Sequence, residues 1–186
     1  MPASTPESAA VPIAVGVSSC LLGERVRYDG GHKHDRAITY CLGRFFRFVP
    51  VCPETGCGMP TPREAMRLEG DPAAPRLVTH QSRIDLTDQM LAWCRMKVRK
   101  LEGEELCGFI LKKGSPSCGL SRVEVCNDDG ASKYGSGLFA AAVVGHFPLL
   151  PVEEEGRLNN PCCQEDFIGR VFGYWRGRAA QSTATE

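Results

Sequence analysis

An apolar run that ends on a cysteine occurs three times in this chain. Residues 13–17 deliver Ser18, Ser19 and Cys20, residues 46–51 are followed at once by Cys52, and residues 107–111 lead through a Lys-Lys-Gly-Ser-Pro-Ser turn to Cys118. Short β-branched or aromatic runs of this kind suit buried parallel strands. In a parallel sheet all strand C-termini lie on one edge, where open α/β sheets place their chemistry, so thiols distant in sequence can converge there. Strands alternating with helices predict an α/β fold: a mainly parallel sheet flanked by helices, in a single domain.

The remaining segments fit that frame. Residues 1–11, rich in Ala, Ser, Pro and Thr, are expected to be a disordered lead-in to a domain over 12–152, with a linker and helix over 153–186. Asp35 is placed to cap a helix running to about Leu42. Residues 53–62 hold three prolines and two glycines and read as a constrained loop. Residues 64–69 and 76–80 can form a hairpin. Thr87 is placed to cap a helix over 88–102 in which Leu91, Cys94, Val98 and Leu101 recur at helical spacing. Residues 122–126 suggest a further strand, 127–130 a turn, and 138–144 a small-residue helix. A fourth strand of the parallel set is expected over 147–152, followed by a solvated acidic turn, Glu153, Glu154 and Glu155. Asn160 can then cap a last helix from Pro161 to about Arg176.

Charge and cysteine content narrow the function. The 22 basic and 22 acidic residues balance, so no polyanionic partner is demanded. No apolar run approaches the roughly 18 residues of a membrane span, and the N-terminus lacks the pattern of a signal peptide, so a cytoplasmic protein is expected. In that reducing compartment ten cysteines point to metal, cluster or catalytic roles for some and to core packing for the others. Spacing alone leaves two readings of Cys20, Cys52 and Cys118. They are core cysteines at strand ends, or converging soft ligands for zinc, copper(I) or an iron-sulfur cluster. Three ligands rather than four would leave one metal position open for substrate.

The blocks around these cysteines carry a resemblance. Val17-Ser18-Ser19-Cys20-Leu21-Leu22-Gly23 with Arg27-Tyr28-Asp29-Gly30, Val51-Cys52-Pro53-Glu54 with Gly58 and Pro62-Arg63, and Lys112 with Ser115-Pro116-Ser117-Cys118-Gly119 resemble the signature blocks of the thiouracil desulfidase family. The resemblance implies that Cys20, Cys52 and Cys118 bind a 4Fe-4S cluster whose fourth iron has no protein ligand. It further implies hydrolytic removal of sulfur from a thiolated pyrimidine, giving uracil and hydrosulfide without net redox change. Such chemistry needs a proton carrier and hydrogen-bond donors. By position Glu54 is the acid/base candidate, and Ser115 and Ser117 are candidates for bonding substrate or water, with Asp29 and Lys112 in support. Residues 150–159 with Phe167, Ile168, Arg170, Val171 and Phe172 resemble the junction of longer relatives that carry a second helical domain. This chain ends at Glu186, so a thiolated uracil base, nucleoside or nucleotide is expected rather than RNA, acted on by a monomer or dimer.

Rival readings use the same residues. A non-catalytic zinc or iron-sulfur sensor would add Cys57, five residues after Cys52, as fourth ligand. Thiol-disulfide exchange would need no metal. Cys41, Cys94, Cys107, Cys126 and the Cys162-Cys163 pair are expected to pack, and His32, His34, His80 and His146 to be solvated.

Overall fold

A computed structural model of the protein describes residues 13–127 and 132–183, so the expected lead-in and most of the turn at 127–130 lie outside the described residues. The chain opens with β1 (Ile13–Ser18), buried throughout, and a 3-10 turn over Ser19–Leu22. Asp35 caps the next segment as expected, its Oδ1 accepting from the amides of Ala37 and Ile38 at 2.9 and 3.2 Å, although the segment is a wide π-type turn rather than an α-helix. Then follow β2 (Phe46–Val51), α1 (Pro53–Gly56), β3 (Met66–Glu69), β4 (Arg76–Thr79), α2 (Thr87–Glu102), β5 (Gly108–Leu111), β6 (Val123–Cys126), β7 (Ser132–Gly135), α3 (Leu138–His146), β8 (Val152–Glu154), α4 (Glu155–Leu158) and α5 (Pro161–Thr183).

The expected parallel sheet is present, in the order β2-β1-β5-β8 with every pairing parallel. Its two faces carry two apolar layers. One holds Phe109, Phe139, Met90 and Leu68, and the other holds Val15, Val17, Ile110 and Phe167. The alternation along β1 assigns Val15 and Val17 to the second layer, while Gly16 turns to the first, where a Cβ would lie 2.3 Å from the ring of Phe109. A second sheet, β4-β3-β6-β7, packs beside it. The expected β3–β4 hairpin and a β6–β7 hairpin are each antiparallel, joined by a parallel β3–β6 pairing. Sequence patterning does not assemble this sheet, because β7 reads Ser-Lys-Tyr-Gly and offers no apolar alternation.

Several element ends move. Residues 53–56 form one helical turn with Pro53 at its start, where a missing N–H costs nothing. Helix α2 begins at Thr87 and buries Met90 in place of Leu91 beside Cys94, Val98 and Leu101. The Thr87 hydroxyl is not its cap: it accepts from the Leu77 amide at 2.8 Å, and Asp85 Oδ1 accepts from the Thr87 amide at 2.9 Å. Asn160 does cap α5, accepting from the Cys162 amide at 2.9 Å, and the helix runs on to Thr183.

The fourth parallel strand lies at Val152–Glu154, later than expected, so the acidic run is not a solvated turn: Glu153 and Glu154 are buried. Each carboxylate has a partner that sequence proximity does not reveal. Arg170 Nη2 donates to Glu153 Oε2 at 2.9 Å, the Leu120 amide donates to Glu154 Oε1 at 2.9 Å, and Glu155 accepts from the Lys113 amide at 2.6 Å and pairs with Lys112. Among the described residues no helix is long and apolar enough to cross a membrane.

Candidate functional site

The C-terminal edge of the parallel sheet opens into a cavity of about 400 Å³, and Cys20, Cys52 and Cys118 all line it. All three are free thiols; Cys20 and Cys118 are buried and Cys52 is half-buried. Each sits where its strand ends. Cys20 lies in the 3-10 turn after β1, its carbonyl accepting from the Lys33 amide at 2.9 Å. Cys52 precedes α1, its carbonyl accepting from the Gly56 amide at 2.9 Å. Cys118 closes a turn built by Ser115, whose Oγ accepts from the amides of Ser117 and Cys118 at 3.2 and 3.1 Å. Helix α3 presses on that turn from behind. The amides of Leu138 and Phe139 donate to the carbonyls of Pro116 and Ser117, and a Cβ on Gly137 would meet the Ser117 carbonyl carbon at 2.5 Å.

Burial governs these thiols. It pushes Cys20 up to about 11, the neighbouring Cys52 adding to the rise while Lys112 and Arg27 oppose it. Cys118 is raised well above the usual thiol range, again by burial first. Ser18 opposes the rise, and Glu54, Cys20 and Cys52 add to it. Soft donors that disfavour one another's ionisation need a cation between them to become thiolates, so the donor set fits a metal centre. Among the described residues no three His, Cys, Asp or Glu side chains are grouped to hold a single metal ion.

Glu54 lines the cavity two residues after Cys52. Ser117 Oγ donates to its Oε1 at 2.9 Å, and Arg63 Nε donates to its Oε2 at 3.0 Å while Arg63 Nη2 also contacts Oε2. Ser115 and Lys112 line the cavity as well. Lys112 Nζ pairs with Glu155 and donates to the Lys113 carbonyl at 2.8 Å, and its amide donates to Ser18 Oγ at 3.0 Å. Two candidates lie elsewhere. Ser117 is fully buried and off the cavity wall, so its hydroxyl holds Glu54 rather than a ligand. Asp29 is exposed and also off the wall. It accepts from the Gly31 amide at 2.9 Å, which with the nearby Arg27 keeps its carboxyl below the usual range. It shapes the turn that carries Arg27 and Tyr28.

Arg27, Tyr28, Arg63 and Lys33 are polar wall residues to which the sequence reading gave no role. Arg27 and Tyr28 adjoin Asp29 in one motif block, which was the available signal. Arg63 stands in another of those blocks, just after the constrained proline-rich loop over 53–62. Cys57 ends α1, its Sγ donating to the Glu54 carbonyl at 3.3 Å, and is not on the wall. Cys94 and Cys107 are buried as expected, whereas Cys41 and Cys162 are exposed because both fall on the outward sides of their helical segments. Of the histidines, His34 bonds Thr39 and His146 bonds Glu102, at 2.9 and 2.6 Å.

A parallel sheet whose carboxyl edge gathers three free cysteines and an ion-paired carboxylate around one cavity defines an α/β protein with a ligand-sized thiol site. Known proteins of this architecture narrow the class. A family model of 2-thiouracil desulfurase matches residues 15–155, and the chain belongs to that family. It is 30% identical over 130 residues to the uncharacterized protein YbbK of Bacillus subtilis (strain 168), covering 67% of this chain and 85% of that protein. Among solved structures it is similar to the 4Fe-4S-dependent thiouracil desulfidase TudS, with a TM-score of 0.64 and 31% identity over 79% of this chain and 93% of that one.

Proposed function

We propose that the chain is a 4Fe-4S-dependent desulfidase that converts a thiolated uracil, as free base, nucleoside or nucleotide, to the uracil product and hydrosulfide. The observation that carries this reading is the meeting of Cys20, Cys52 and Cys118 on one cavity wall, in a chain 31% identical to TudS. Cys20, Cys52 and Cys118 would hold the cluster. When bound, the cluster supplies a Lewis-acidic iron with no protein ligand, suited to a soft thiocarbonyl sulfur.

The chain's own residues supply the rest. Oε2 of Glu54 is occupied by Arg63, but Oε1 accepts a single bond, from Ser117, and keeps acceptor capacity on a residue that lines the cavity. That oxygen takes a proton from water as the hydroxide adds to the thiocarbonyl carbon, and the same carboxyl returns it to the departing sulfur as the carbon–sulfur bond breaks. The proton left on the new hydroxyl passes to solvent as the carbonyl forms. Ser115 accepts two amide bonds and retains its hydroxyl hydrogen for the substrate or the water. Arg27 and Lys112 offset developing negative charge, Ser117 steadies Glu54, and Asp29 braces Arg27. A cavity of about 400 Å³ is within the ordinary size of small-molecule sites, in keeping with a free base, nucleoside or nucleotide. Free thiols and an oxygen-sensitive cluster suit the cytoplasm.

The test is anaerobic incubation with 4-thiouracil, 2-thiouracil and 4-thiouridine monophosphate, reading hydrosulfide release and loss of the thione absorbance. Turnover of at least one is expected. No turnover of any, with the cluster intact, overturns the proposal, and one zinc per chain that depends on Cys57 would favour the sensor reading.

A further inference from the structure

We propose that Arg63 is a positioning residue that ties the three cysteine-bearing segments into one unit through Glu54. The inference rests on the three-cysteine reading of the site given above.

The side chain of Arg63 is 6% exposed, and its five N–H donors make five hydrogen bonds to four acceptor atoms, Glu54 Oε2 taking two of them. Nη1 donates to the Pro60 carbonyl and to Thr61 Oγ1, at 3.1 and 3.2 Å, which fixes the arginine to its own loop. Nη2 donates to the Val26 carbonyl at 2.9 Å, and the Arg63 amide donates to the Tyr28 carbonyl at 2.8 Å. Both acceptors lie in the segment that follows Cys20. Nε and Nη2 hold Glu54 Oε2, on the helical turn that begins directly after Cys52. Glu54 Oε1 in turn receives the hydroxyl of Ser117, the residue before Cys118. One guanidinium and one carboxylate thereby reach all three segments. A planar five-donor fork can do this and a three-donor ammonium cannot, because the acceptors lie in two directions.

The test is pulsed alkylation of the full chain with iodoacetamide under anaerobic conditions after removal of iron, with peptide mass spectrometry reading each cysteine. With Arg63→Met, Cys20, Cys52 and Cys118 should all label faster, by on the order of tenfold, as local opening becomes easier. Cys94 and Cys107, buried away from the cavity, should keep their rates, and Arg63→Lys should give an intermediate result. In the iron-loaded chain Arg63→Met should also release iron to a ferrous chelator faster. Acceleration of Cys52 alone, of none of the three, or no change in iron release overturns the clamp. If Cys94 and Cys107 accelerate equally, Arg63→Met is unfolding as a whole, and the pattern in Arg63→Lys decides by the same criterion. Labelling needs no turnover. A chain that shows the pattern but no desulfidation loses the proposed function alone, and one that desulfidates without the pattern loses the clamp alone.

Discussion

Two of the carboxylates that arginine holds in this protein, the buried Glu69 and the half-buried Glu54, do different work. Glu69 at the end of β3 is met by Arg67 at 2.6 Å, by Arg83, and by Arg76 at 3.8 Å, the residue opposite it in the hairpin register. These arginines are 34, 49 and 56% exposed, so water shares in compensating the charge. Glu54 has one arginine, itself buried, and borders the cavity with the three cysteines. An ion pair is thus no sign of function by itself. Glu69 staples a hairpin, whereas Glu54, held by Arg63 on Oε2 and by Ser117 on Oε1, lines the cavity.

The largest expected effect lies on the cavity side. Cys20→Ala or Cys118→Ala should abolish both cluster binding, about four irons per chain in the parent, and turnover; retention of iron by either variant would remove that cysteine from the ligand set. Glu54→Gln keeps hydrogen-bonding capacity towards Arg63 and Ser117 but loses the proton carrier. Its turnover should fall roughly 100- to 1,000-fold with iron content unchanged. Glu69→Gln should do the converse, leaving turnover near the parent's and lowering the melting temperature by roughly 5 °C. Similar kinetic damage in the two variants would break the distinction drawn here.

Smaller effects sharpen it. Gly137→Ala drives a methyl into the Ser117 carbonyl and the Cys118 amide, 2.5 and 2.9 Å away, and should cost about 2 kcal/mol while loosening the third cysteine. Denaturant titration with iron retention reads both. Acid titration addresses Glu69 directly. The hydrogen bond from Arg83, followed by Arg67, holds its carboxyl at about 2 against an ordinary 4.5. A depressed carboxyl stabilises the fold fully above its unfolded value and loses that contribution as pH falls. Roughly 2 kcal/mol should therefore disappear between about pH 4.5 and 2, and Glu69→Gln should lack that loss. The smallest change is Gly169→Ala on α5, where a methyl meets nothing within 4 Å, and it should stabilise by about 0.5–1 kcal/mol in the same titration.

Strands β1 and β5 were legible because a strand buried on both faces must be apolar along its length, and the edge strand β2 by its alternation, each running on into its cysteine segment. The second sheet was half legible: the β3–β4 hairpin shows its turn, but β7 is short and polar. Glu153 and Glu154 read as solvent-facing because burial of an acid depends on a partner, and their partners, Arg170 and the Leu120 amide, lie 17 and 34 residues away. Thr87 was misread for a similar reason, its hydroxyl being claimed by β4.

Sequence alone determined the α/β class, the three strand-end cysteines and the family, since each is written in contiguous residues. Tertiary structure decided which polar side chains face the cavity. Ser117 and Glu54 meet across 63 residues, and Arg63 and Val26 across 37. Those pairings arise when buried charges are brought beside their only available partners, and a one-dimensional pattern holds no record of that distance.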